Sequence, residues 1–166
     1  MQYTINQSTL GLVLVAESPS GICAVLLGDD ADALRRDLQR RFPAEVLARG
    51  AADAEARAAA VVRALERPGD HRAAEALPLD LHGTAFQREV WDELRAVPAG
   101  TTATYAAIAR RLGRATSARA VAHACAANPV AVLVPCHRIV RSDGAMAGYR
   151  WGVERKRRLL EREAQP

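Results

Sequence analysis

The sequence predicts an α+β protein: a small mixed α/β first half followed by a mostly helical second half. Three observations carry this. Two β-rich runs, 10–17 and 21–28, flank a Ser18-Pro19-Ser20-Gly21 turn. Helix caps and apolar residues at helical spacing dominate from Thr84 onward. The charge also changes sign between the halves. Residues 1–83 hold nine Arg against twelve Asp and Glu, net −3, while residues 84–166 hold fourteen Arg and Lys against seven Asp and Glu, net +7.

In the first half, Leu34 and Leu38 stand one turn apart in a helix predicted over 31–41, which Pro43 ends. An Ala-rich helix over 54–66 follows, stopped by Pro68-Gly69. A short extended link over 77–81 leads to a domain boundary near His82-Gly83, giving domains 1–82 and 83–166. A chain of 166 residues suffices for one good core or two small ones.

The composition, 49% hydrophobic and 25% charged, is that of an ordinary globular protein. No apolar run is long enough to span a membrane, and Met1-Gln2-Tyr3-Thr4 does not open a signal peptide. Three cysteines without paired spacing argue against a disulfide framework and for a reducing, cytoplasmic setting. No metal-ligand spacing occurs, so no metal is expected. His71 and His82 are read as solvated, and Cys23 and Cys125 as small core residues.

In the second half, Thr84 and Gln87 form a capping box, and Phe86, Val90 and Leu94 make one apolar face until Pro98-Ala99-Gly100. Thr104 caps a short helix over 105–112 that stops at Gly113. Thr116 or Ser117 caps the next, over 118–127, which Asn128-Pro129 terminates. The pair is either a helix-turn-helix or simply two packed helices. Small residues fill the second helix, which suits close approach to a flat partner as well as a core position. The positive charge of this half suggests a polyanionic partner. The last helix, 153–163, has Leu159 and Leu160 as inward anchors and Glu154–Arg158 at pairing distance. Lys156 is the only lysine among 23 basic residues, which reads as compositional bias.

The apolar run 130–134 reads as a buried strand stopped by Pro135. It delivers Cys136 beside His137 and Arg138. A blindly chosen cysteine is structural, but electropositive neighbours favour the nucleophilic thiolate and turn this one into a candidate catalyst. Adjacent side chains on extended backbone point to opposite faces, so direct Cys–His contact is not assured. A water can relay the proton, with a carboxylate such as Glu163 orienting the imidazole.

The segment Val134-Pro135-Cys136-His137-Arg138-Ile139-Val140 resembles the active-site signature of the O6-alkylguanine-DNA alkyltransferases. The resemblance extends over Gly83-Thr84-Ala85-Phe86-Gln87, Thr104-Tyr105, Ala118-Arg119-Ala120-Val121, Asn128-Pro129 and Gly148-Tyr149-Arg150-Trp151-Gly152. The run from Gly21 to Asp30 is similar to the alkyltransferase part of bacterial adaptive-response proteins. The resemblance implies a ribonuclease H-like first domain and a winged-helix-like second one. It implies a monomer that needs no cofactor and no membrane, and that takes duplex DNA by the minor groove and flips the damaged guanine out. Cys136 would accept the alkyl group irreversibly from O6-alkylguanine, and from O4-methylthymine, once per molecule.

By the same resemblance Arg119 fills the place of the flipped base, with a phosphate contact as the alternative. Ala118, Ala120 and Ala122 allow close approach. Tyr105 assists rotation and donates to the guanine, and Asn128 holds the active-site turn. The carbonyls of Cys136 and Ile139 accept the guanine amine, and Tyr149 and Arg150 line the pocket. Trp151 would narrow it in favour of methyl. His123 departs from the small residues favoured on this helix and is read as a phosphate contact or an exposed side chain. The separate four-cysteine zinc domain of adaptive-response proteins has no counterpart, so phosphotriester sensing is not expected. A lesion-binding protein without the reactive cysteine, a helix-turn-helix regulator and a Cys-His hydrolase are the competing classes. Cys136 speaks against the first, the unexplained Cys-His pair against the second, and the DNA-binding helices against the third.

Overall fold

The first 28 residues build an antiparallel meander. Strands β1 (Gln2–Ser8), β2 (Gly11–Ser18) and β3 (Gly21–Gly28) pair in order, and a short β4 (Ala48–Arg49) adds parallel to β1. The computed structural model describes residues 1–67, 76–113, 117–146 and 148–164, so Pro68-Gly69, His71 and Thr116 lie outside the described residues. Strand β1 was not predicted: its sequence, QYTINQS, is polar, and pairing with Leu12–Val15 makes it a strand. Six consecutive buried residues in β3 mean that both its faces are covered. Helix α1 (Ala31–Arg41), capped by Asp30, packs on β3 through Leu34 and Leu38, while α2 (Ala52–Glu66) packs on β1. Link residues Pro78 and Asp80 bond both backbone groups of Ile22.

The chain divides into two compact units. One comprises Met1–His82 with Pro129–Leu133, the other Gly83–Asn128 with Val134–Pro166. The predicted strand over 130–134 does not form. Val130 makes one isolated bridge to Val25 and Ala131 N–H bonds Val25. Leu133 N–H then bonds back to the Ala131 carbonyl, 2.8 Å, across Val132 at φ 69°. This is a tight γ-turn on a β-branched residue, a strained conformation. The apolar run is buried because it inserts against β3, and a single rung cannot make a strand of it.

The second unit is helical. Helix α3 (Ala85–Arg95) opens with the Thr84–Gln87 capping box. Helix α4 (Tyr105–Arg111) is capped by Thr104, and α5 (Ala118–Ala127) by Ser117. Trp91 of α3 donates from Nε1 to the Ala124 carbonyl of α5, 2.9 Å, inside the core. Strands β5 (Ala103–Thr104) and β6 (Ile139–Val140) pair in parallel. Helix α6 (Val153–Glu163) ends the unit. Its inward face is Lys156, Leu159 and Glu163, with Leu160 only half-buried, so the predicted Leu159–Leu160 anchor is corrected. Among the described residues no helix is long and apolar enough to cross a membrane.

Replacing Trp91 by Phe strands a buried carbonyl. Urea denaturation of Trp91→Phe should show a loss of about 2 kcal/mol. A midpoint equal to the parent's would remove this bond from the account.

Candidate active site

Helix α5 ends at Asn128, a fully buried residue. Its Nδ2 donates to the Val134 carbonyl at 2.9 Å and to Cys136 Sγ at 3.2 Å. The first bond ties the two ends of the 129–133 excursion together. The second directs a donor at the sulfur. Cys136, His137 and Arg138 form one turn of 3₁₀-helix, closed by Ile139 N–H on the Cys136 carbonyl.

Glu163 gathers the other side chains of that turn. His137 Nε2 lies 2.8 Å from Glu163 Oε1, Arg138 Nε donates to Oε2 at 3.0 Å, and Arg138 Nη2 donates to Oε1 at 2.9 Å. Arg138 Nη1 donates to the Val97 carbonyl at 2.6 Å. The Gly100 N–H approaches Oε2 at 3.5 Å, and at its φ of +75° a Cβ would stand 2.9 Å from the Glu163 carbonyl. Burial alone would raise the Glu163 pKa, but the His137 and Arg138 hydrogen bonds outweigh it and hold it down at about 2.

Cys136 opens on a cleft of about 720 Å³ whose walls include Tyr105, Arg119, Cys125, Arg141, Tyr149 and Arg150. Ala118 and Ala122 face it as well. Parallel pairing of Thr104 with Val140 ties the cap of α4, and so Tyr105, to the chain leaving the Cys136 turn. Burial pushes the Tyr105 hydroxyl up to about 12, reinforced by the Cys125 and Cys136 thiols.

Several expectations change. Arg138 does not favour the thiolate, because its guanidinium is engaged by Glu163 and Val97. Burial pushes the Cys136 thiol up to about 11, against the opposing effects of the Asn128 hydrogen bond and the Lys156 charge. Trp151 is buried and does not line the cleft; it stands edge-on to Tyr149 with ring centres 5.2 Å apart. Ile139 is not part of the lining either, and its carbonyl accepts Lys156 Nζ at 2.5 Å. Ala120 and His123 sit on α5 outside the lining, with His123 exposed. Cys125 is buried, as its core reading has it, and also borders the cleft. Lys156, Arg141 and the Arg138–Glu163 pair escaped sequence reasoning. The signal available was the i, i+3, i+7 spacing of Lys156, Leu159 and Glu163, which the two adjacent leucines obscured.

Residues 85–165 match the family model of the 6-O-methylguanine DNA methyltransferase DNA-binding domain. The whole chain is also similar to Mycobacterium tuberculosis OGT crystallised in complex with DNA, at 30% identity and a TM-score of 0.79, covering 99% of this chain and 93% of that one. The chain belongs to the O6-methylguanine-DNA methyltransferase family. It is 46% identical over 165 residues to the bifunctional transcriptional activator/DNA repair enzyme Ada of Escherichia coli K12, covering 99% of this chain and 46% of that protein. Over 89 residues it is 51% identical to the methylated-DNA–protein-cysteine methyltransferase of Saccharomyces cerevisiae, covering 53% of this chain and 47% of that protein. The chain thus spans about half the length of these curated relatives. The family match takes in all of α3 to α6 and the Cys136 turn.

Glu163 has a depressed pKa in the folded protein, so its stabilising contribution is complete above the unfolded value of about 4.3 and is lost as pH falls from there toward about 2. Stability measured by urea between pH 6 and pH 2 should fall by up to about 3 kcal/mol more for the parent than for Glu163→Gln. Parallel pH curves for the two proteins would contradict the clamp. At neutral pH Glu163→Gln should lose about 3 kcal/mol or more, since Arg138 stays buried without its carboxylate.

Proposed function

We propose that this protein repairs DNA by direct reversal, moving a methyl or other small alkyl group from O6-alkylguanine in duplex DNA onto Cys136. The observation that carries this reading is the shared cleft: a buried cysteine held by Asn128 opens on the same space as Tyr105 and Arg119. The family membership supports it.

The chemistry is a displacement at an sp³ carbon. The Cys136 thiolate attacks, the carbon–oxygen bond breaks, and the electron pair leaves on the guanine oxygen. His137, oriented by Glu163, takes the thiol proton through a water. Tyr105 donates to the guanine as negative charge develops on it, which makes a poor leaving group acceptable. A thioether cannot be cleaved by any neighbouring group, so each molecule reacts once. O4-methylthymine is a second substrate on the same chemistry.

Helices α4 and α5 serve as the helix-turn-helix of a winged-helix-like domain, residues 83–166, that enters the minor groove. Ala118, Ala120 and Ala122 let the α5 backbone approach the duplex, and His123, exposed on the same helix, meets a phosphate. Arg119 occupies the stack where the flipped base had been. Tyr149 and Arg150 line the base pocket, and the Cys136 and Ile139 carbonyls accept the guanine amine. Lys156 uses one lone pair of the Ile139 carbonyl, which leaves the other for the base. Trp151 limits pocket size from behind Tyr149. The four-stranded sheet with its packed helices supports a ribonuclease H-like reading of residues 1–82. The protein acts as a monomer.

Incubation with duplex DNA containing O6-methylguanine should exchange one hydrogen for one methyl on the Cys136 peptide, once per molecule, by intact-mass and peptide mass spectrometry. Repair by Cys136→Ala, or turnover beyond one equivalent without protein modification, would refute the proposal. Tyr105→Phe should keep the stoichiometry and slow the single turnover by on the order of 10²-fold.

A further inference from the structure

Arg119, Arg141 and Arg150 all border the Cys136 cleft, and among the described residues no carboxylate lines it. Two of these cations already have a place. Arg119 fills the stack in the reading above, and Arg150 Nη1 donates to the Ala126 carbonyl at the end of α5, 3.3 Å. Arg141 has no such place. Its Nε lies 3.8 Å from Asp143 Oδ2, too far for a hydrogen bond, and the two side chains are 64% and 62% exposed. A pair this open contributes at most about 1 kcal/mol. Among the described residues no hydrogen bond holds the Arg141 guanidinium.

The backbone beneath that side chain is fixed. Val140 pairs with Thr104 in the β5–β6 ladder. Arg141 N–H then donates to the Ala145 carbonyl at 3.0 Å, and the Arg141 carbonyl accepts from Gly144 N–H at 2.9 Å. Gly144 supplies the φ of +78° that the turn needs, and Asp143 Oδ1 accepts from Ala145 N–H at 3.0 Å. The turn closes on these bonds without the Arg141 side chain. A guanidinium with uncommitted donors thus stands on a rigid base, five residues past the acceptor sulfur. Its planar fork matches two oxygens of one phosphate, and a phosphate readily takes the place of so weakly held a carboxylate.

We propose that Arg141 grips a phosphate next to the extruded nucleotide, on the strand that carries the lesion. An extruded base brings its own backbone to the mouth of the cleft. Arg119 and Arg141 then act from two separate elements, one in the vacated place in the stack and the other on the displaced backbone. Asp143 is the partner that Arg141 gives up when DNA arrives. The proposal rests on the direct-reversal reading for its ligand, DNA with a flipped guanine.

Cys136→Ser protein binds without transferring, so it reads the contact alone. Duplexes carry O6-methylguanine and a single uncharged methylphosphonate, placed in turn at each phosphate near the lesion on either strand, and affinity is measured by fluorescence anisotropy. One position beside the lesion, on its own strand, should weaken binding about tenfold. In this background Arg141→Gln should weaken binding to the unmodified duplex about tenfold, lower the slope of log affinity against log salt by about one, and lose sensitivity at that one position only. Arg141→Lys should regain the salt slope but only part of the affinity, since it keeps the charge without the fork. Methylphosphonates that cost Arg141→Gln as much as they cost the Arg141 protein at every position overturn the proposal. So does a loss of sensitivity that falls on the complementary strand. Methyl transfer by the parent is scored separately by mass, so either result can fail while the other stands.

Discussion

The carboxylate of Glu163 is the interaction on which the active-site turn depends. It lies at the end of the last helix and is buried, yet it is held ionised by two cation-capable side chains from a three-residue turn. A buried carboxylate is tolerable only when its oxygens are well satisfied. Here His137, both arms of the Arg138 guanidinium and the Gly100 amide do so. The same clamp fixes the orientation of the imidazole and removes Arg138 from the neighbourhood of the sulfur. The turn that presents Cys136 and the helix that closes the unit are thereby one rigid object.

Asn128 complements the clamp from the opposite end. The five residues after it leave the second unit and pass through a strained turn at Val132 before the chain returns at Val134. The Asn128 side chain closes that excursion at its neck and reaches Cys136 with its other proton. Strain of about 1–3 kcal/mol at one residue persists only where its surroundings over-determine the backbone. The burial of Val130, Ala131 and Val134 supplies that constraint. The two Asn128 hydrogen bonds therefore fix the place of the Cys136 sulfur as well as the neck of the excursion.

Local chemistry was legible where it depends on neighbours in sequence. Thr84, Thr104 and Ser117 each cap a helix because their oxygens accept from an amide three residues on. Cys136, His137, Asn128 and Glu163 were all identifiable as a group, and the fold brings them into two linked contacts. The reading went wrong where partners are distant. Strand β1 is polar and needed β2 to define it. Residues 130–134 have strand composition but only one rung to pair with. Trp151 follows the pocket residues in sequence, yet it packs behind Tyr149.

The sequence by itself determined the helices, their caps, and which thiol stands beside an imidazole, because these follow from short-range hydrogen bonding and periodicity. Only the tertiary structure decided the charge on that thiol. Its environment is set by burial, by Arg138 turning to Glu163, and by Lys156 reaching the Ile139 carbonyl from seventeen residues away. Electrostatics depends on distance and on exclusion of water, and neither is written in the order of the residues.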